Sequence, residues 1–130
     1  MRHRVAGKKL NRDSGHRKAL RRNLIAALYM NEEIITTEAK ALAVRGEAER
    51  LITKAKRALA KGDDAASVHA RRIVLAHLGN NRQAMLKVFD ELAGRFKDRQ
   101  GGYTRRFKLL PRKGDNAPMV MLQLLREDEA

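Results

Sequence analysis

The stretch GGYTRRFKLLPRKGDNAPMVMLQLL, residues 101–125, decides the fold. From Tyr103 to Leu110 it carries strand-forming residues with no helical stripe, and Pro111 to Asn116 supply turn chemistry, so the segment reads as a β-hairpin. The second arm is apolar on both alternating faces, Val120/Leu122/Leu124 on one and Met119/Met121/Leu125 on the other. A strand apolar on both sides belongs at the centre of a sheet rather than at its edge. The first arm is loaded with cations that a strand built only to close a core would not need: Arg105, Arg106 and Lys108, followed by Arg112 and Lys113 in the turn.

Upstream the period is helical. Leu20, Leu24, Ala27 and Leu28 form one stripe in residues 15–30, with Ser14 as a candidate cap and Lys18, Arg21 and Arg22 on the other side. EEIITT (32–37) is short and β-branched, which predicts a brief strand, and Thr37 can cap the next helix. That helix is marked by Ala41, Val44, Ala48, Leu51, Ala55 and Leu59 and runs to about residue 60. KGDD (61–64) breaks it, a third helix over 65–78 ends at Gly79, and a fourth starts at NN (80–81), carries Met85, Val88, Phe89 and Leu92 on one face, and stops at Gly94. The expected fold is α+β in the order α-β-α-α-α-β-β, with helices packed on a small mixed three-stranded sheet. Residues 1–13 lack apolar periodicity and read as an extended basic N-terminal arm, 14–125 as a single globular domain, and 126–130 as a frayed acidic tail.

The 130 residues suit one domain with one modest core. No apolar run nears the ~20 residues of a membrane span, no secretory leader is visible, and the absence of cysteine excludes disulfides, thiolate nucleophiles and zinc knuckles. The formal charge of +14 is unevenly spread: residues 1–22 hold +8 and residues 95–113 hold +7, while the other 89 residues sum to −1. Two cationic segments on an otherwise balanced chain point to a polyanion partner.

Catalysis has little material. His3, His16, His69 and His77 include no i, i+4 pair and no HExxH pattern, and the eight-residue separation of His69 and His77 puts ~12 Å of helix between them. Asp63 and Asp64 suit a helix start, and GKKLNR lacks the spacing of a phosphate-binding loop. No catalytic residue, metal site or cofactor is expected. Nucleic-acid binding is better supplied, because Arg and Lys neutralise phosphates and release counterions. Tyr103 and Phe107 lie among the arginines of the hairpin, and aromatic rings beside guanidinium groups stack on unpaired bases. Phe107 also fits a core position, and Tyr103 fits either role.

The segments MRHR (1–4), KLNRDSGHRKALRRNL (9–24), IITT (34–37), RLIT (50–53), GGYTR (101–105) and RKGDNAPM (112–119) resemble the bacterial large-subunit ribosomal protein L17 family, in the same order along the whole chain. The resemblance implies the element order read above with the last strand between the other two, no catalytic activity, and binding to large-subunit ribosomal RNA near the peptide exit side. It departs at Gly15, where the family usually shows Ser, and at Leu42 and Ala43, where a charged pair is expected; residues 61–72 vary in length and carry nothing over.

On this reading the chain is a cytoplasmic structural constituent of the large ribosomal subunit, with ribosomal RNA and neighbouring ribosomal proteins as partners and neither a membrane nor a small-molecule substrate. Arg2, Arg4, Lys8, Lys9 and Arg12 are expected to thread between RNA helices, and His3 and His16 to add hydrogen bonds to phosphate or base edges. Lys18, Arg21 and Arg22 brace a phosphate backbone, Arg105, Arg106, Lys108, Arg112 and Lys113 engage a second RNA segment, and Arg17, Arg99 and Tyr103 are further RNA-contact candidates. The rival is a free DNA-binding nucleoid or regulatory protein. It would want a recognition helix, and the second helix, with Glu38, Glu47 and Glu49, is a poor groove reader.

Overall fold

The computed structural model describes residues 3, 4 and 6–129. Helix α1 (Ser14–Asn31) is followed by β1 (Glu33–Thr37), α2 (Glu38–Ala60) and α3 (Asp64–His77). Then α4 (Arg82–Lys87), a π-helical turn (Val88–Leu92) and α5 (Ala93–Arg95) run on as one continuous helix. The hairpin β2 (Thr104–Leu109) and β3 (Met119–Leu124) and a 3-10 turn (Glu127–Glu129) close the chain.

Local chemistry accounts for the helix ends. Asp13, not Ser14, caps α1, its carboxylate accepting from the His16 amide at 2.8 Å. The Thr37, Asp63 and Asn81 side chains do the same for α2, α3 and α4. Gly79 follows α3 in the left-handed region at φ 62°, and a Cβ there would meet the Arg22 side chain at 3.3 Å. Gly94 does not end the fourth helix, which continues to Arg95. Glycine lowers helix propensity, but Leu92, Ala93 and Phe96 around it are buried, and that packing holds the last turn.

The sheet has the order β1-β3-β2 and is antiparallel at both pairings, not mixed. The reason is topological: β1 and β2 run in the same direction, but β3 lies between them and opposes both. Val120, Leu122 and Leu124 of β3 turn inward onto the helices and are buried, joined by Ile25, Leu28 and Tyr29 of α1, Val44, Leu51 and Ile52 of α2, and Val88, Phe89 and Leu92. The buried Tyr29 hydroxyl donates to the Ala48 carbonyl at 2.6 Å and ties α1 to α2. Leu59, expected on the buried stripe of α2, is 41% exposed, and Ala58 takes its place, because the contact face drifts around the last turn. Leu42 is also exposed.

Among the described residues no α-helix covers the opposite face of the sheet. There Ile35, Met121 and Phe107 line up across the three strands, with Thr37, Met119 and Leu109 beside them and Glu33, Gln123 and Arg105 at the far end. Residues 126–129, expected as a frayed tail, are drawn in by Glu129, which accepts from the Arg126 amide and from the Arg105 guanidinium.

Candidate nucleic-acid interface

Two groups of the expected contact residues are brought together by the fold. Lys18, Arg21 and Arg22 project from α1 into a cleft closed by Glu47 of α2 and by Ala76 and His77 of α3. Glu47 organises it: Arg21 Nε stands 3.6 Å away and His77 Nδ1 3.1 Å away. Arg17 donates to the Arg12 carbonyl at 2.8 Å and Arg12 to the Leu10 carbonyl at 2.6 Å, so the arm is clasped onto the start of α1 through side chains. His16 is exposed one turn away.

Within the arm, His3, Arg4, Lys8 and Lys9 are exposed, and Arg2 lies outside the described residues. The described part is turned rather than extended. The Arg12 amide donates to the Lys9 carbonyl at 3.2 Å, and Leu10 and Asn11 both adopt left-handed backbone at φ 56° and 53°. Two such residues in succession reverse the chain just before α1, which a reading from composition could not foresee.

The hairpin group is arranged differently from its sequence. Side chains alternate across a strand, so Arg105 and Arg106 point to opposite faces, opposite Gln123 and Leu122 respectively. Arg105 donates to Gln123 Oε1 at 2.8 Å and to Glu129 Oε1 at 2.6 Å, and its guanidinium lies 5.3 Å from the centroid of the Phe107 ring. Arg99 donates to the Glu129 carbonyl at 3.3 Å, so Glu129 holds Arg99 and Arg105 side by side. Arg106, on the helix side, reaches Glu38 at 3.8 Å. In the turn Arg112 makes a paired contact with Asp115 at 2.7 and 3.0 Å, and that hydrogen bonding holds the Asp115 carboxyl down at about 2. Lys108 and Lys113 are exposed, with no carboxylate within ion-pair distance among the described residues.

Tyr103, expected among the RNA contacts, lies in the core instead. It is 1% exposed, 4.9 Å from the Phe96 centroid, and its hydroxyl accepts from Lys56 Nζ at 2.9 Å and meets Thr53 Oγ1 at 3.2 Å. Burial pushes the phenol up, but the hydrogen bonds from Lys56 and Thr53 outweigh it and the net shift is downward. A ring enclosed in this way cannot stack on a base. The exposed aromatic of the hairpin is Phe107, at 44%. Alternation alone would set Tyr103 and Phe107, four apart, on one face; the strand begins only at Thr104, and Tyr103 enters the core from the preceding loop.

Among the described residues no three His, Asp or Glu side chains gather as a metal site would require, and no helix is long and apolar enough to cross a membrane. The surface offers arginine and lysine heads, one exposed ring and short acidic clamps that orient the guanidinium groups, which together can grip phosphates and stack bases.

Comparison with known proteins identifies the grouping. The family model described as Ribosomal protein L17 matches residues 20–125. The large ribosomal subunit protein bL17 of Petrotoga mobilis is 47% identical over 99% of this chain and 100% of its own. The protein of the same name from Lactobacillus helveticus is 46% identical over 93% of this chain and 100% of its own, and that of Magnetococcus marinus 43% over 98% and 95%. The antiparallel sheet with its last strand central, the four-helix cover and the basic hairpin thus come with relatives matched end to end, and the chain belongs to the ribosomal protein L17 family.

Proposed function

We propose that this chain is a structural constituent of the large ribosomal subunit, in the cytoplasm, where it binds and stabilises folded ribosomal RNA and supports translation without catalysing a reaction. The observation that carries this is the pairing of end-to-end likeness to large-subunit proteins with two cationic surfaces on a domain whose core is complete. Lys18, Arg21 and Arg22 brace one phosphate backbone, with His16 and Arg17 at its margin and the arm (Arg2, His3, Arg4, Lys8, Lys9 and Arg12) laid along it. Arg105, held by the Glu129 carboxylate and set against the Phe107 ring, offers a place for an unpaired base, with Arg99 bound to the Glu129 carbonyl, while Lys108, Arg112 and Lys113 contact phosphates at the turn. Arg106 faces the other side of the hairpin and serves a separate contact. Neighbouring large-subunit proteins complete the set of partners.

The test is the salt dependence of binding to deproteinised large-subunit ribosomal RNA. With ~6 phosphates neutralised at ~0.7–0.9 counterion each, log affinity falls with log salt at a slope of about −4 to −5. A slope near zero, or equal affinity for random-sequence duplex DNA, contradicts the reading.

A further inference from the structure

α2 and α3 pack side by side, and an open groove of about 510 Å³ runs between them. From α2 it is lined by Arg50, Lys54, Arg57 and Lys61, and from α3 by His69 and Ile73. The four cations recur at steps of four, three and four residues, so they share one face of the helix and form a ridge about 16 Å long. All four are exposed, and no carboxylate lines the groove.

Their isolation is what distinguishes them. Arg95, Arg105, Arg106 and Arg112 each lie 2.6–3.8 Å from a carboxylate of this chain. Among the described residues none of the ridge side chains makes an ion pair or a side-chain hydrogen bond. Like charges one turn apart repel and weaken the helix that carries them. The ridge therefore costs the free protein stability and has no internal use: the core is complete without it, and α2 is anchored from its other face through Ala48, Ile52 and Ala55. An external polyanion reverses the sign of that interaction. Besides His69 and Ile73, α3 lines the groove only with Ala66 and Ala70, so a sugar-phosphate strand can approach the cations closely.

Building on the large-subunit assignment, we propose that the α2–α3 groove is a further RNA-binding site, in which Arg50, Lys54, Arg57 and Lys61 track the phosphodiester backbone of one ribosomal RNA strand and His69 hydrogen-bonds a phosphate or ribose hydroxyl from the opposite wall. An acidic segment of a neighbouring protein is less suited to it, because the groove has small alanines where an anchored peptide side chain would need a deep pocket.

The experiment compares three full-length chains on deproteinised large-subunit ribosomal RNA by filter binding across a salt series. The groove variant carries Lys54→Gln, Arg57→Gln and Lys61→Gln. The control carries Lys40→Gln, Arg82→Gln and Arg126→Gln, which removes the same charge elsewhere. Thermal melts confirm that all three fold. If the groove grips phosphates, the slope of log affinity on log salt becomes shallower by about 2–3 in the groove variant and by under ~1 in the control. Equal changes in the two variants overturn the groove site while leaving the large-subunit assignment standing; a flat slope in the parent chain overturns that assignment as well. A second measurement needs no variant: Lys54 and Lys61 of the parent chain should be acetylated at least tenfold more slowly in intact subunits than in free protein. Equal reactivity contradicts the proposal, and so does protection that survives ribonuclease stripping of the particle, which assigns the groove to a protein neighbour.

Discussion

The Lys56 ammonium donates a 2.9 Å hydrogen bond to the Tyr103 hydroxyl while standing 4.9 Å from the centroid of the same ring, and it also donates to the Arg99 carbonyl. One partly buried cation thus fastens α2 to the loop that enters the hairpin. Replacing Tyr103 by Phe keeps the ring and removes the oxygen, leaving Lys56 short of a partner. The expected cost is about 1–2 kcal/mol of stability, a fall of several degrees in Tm, with affinity for ribosomal RNA per folded molecule unchanged. Loss of RNA affinity at unchanged Tm would return Tyr103 to the binding surface.

The Glu32–Arg95 contact gives the fold an acid limit. Arg95 donates to both Glu32 oxygens at 2.8 and 3.0 Å, and Lys87 Nζ stands 3.2 Å away. Hydrogen bonding from Arg95 is the main cause that lowers the Glu32 carboxyl from 4.5 to about 2. The folded value lies below the unfolded one, so the stabilisation is fully present above the unfolded value and is lost as pH falls towards 2. Glu32→Gln should cost about 1–2 kcal/mol near neutrality, discounted because the carboxylate is partly open to water. The gap between parent and variant in denaturant melts should close between those two pH values. A gap that stays constant down to the lower one contradicts this assignment.

Arg105 and Arg106 provide a test of the hairpin. Replacing both by Ala should leave helix content unchanged and weaken RNA binding by about 1–3 kcal/mol in total. Because they face opposite sides of the strand and share no partner, the single effects should add to within ~0.5 kcal/mol. Loss of cooperative unfolding in the double variant, or strong coupling between the singles, would mark them as parts of the fold.

The arm separates anchorage from folding. Its described residues add nothing to the core, and ordering each costs ~1–2 kcal/mol of backbone entropy. Deleting residues 2–12 should move Tm by at most a few degrees and yet impair incorporation into gradient-purified large subunits. Incorporation equal to that of the parent chain would place RNA binding on α1, the hairpin and the α2–α3 groove without the arm.

Element order was legible because three helices carry apolar stripes, KGDD and Gly79 bound the other, and the strand segments are rich in β-forming residues; the central place of β3 followed from its two apolar faces. What could not be read is what depends on direction. Tyr103 and Phe107 look alike in an alternating cationic stretch, and only the start of β2 at Thr104 decides that one enters the core and the other meets solvent. Arg105 and Arg106 read as a pair because they are adjacent in sequence, which on a strand is what separates them. The α2 ridge was hidden by averaging: the balanced charge of residues 23–94 contains a run, 50–61, with five cations and no acid. The antiparallel pairing of β1 with β3 could not be read because it depends on how the intervening helices return the chain, and periodicity does not record that.

The most direct test of the central claim is where the chain resides in a cell. A lysate containing a C-terminally tagged copy is resolved on a sucrose gradient, with and without ribonuclease treatment. The chain is expected to sediment with large subunits, to stay with them when 70S particles are dissociated at low magnesium, and to move to the top of the gradient once the RNA is digested. A chain that remains in the soluble fraction throughout, or that sediments with nucleoid DNA and is released by deoxyribonuclease instead, contradicts it.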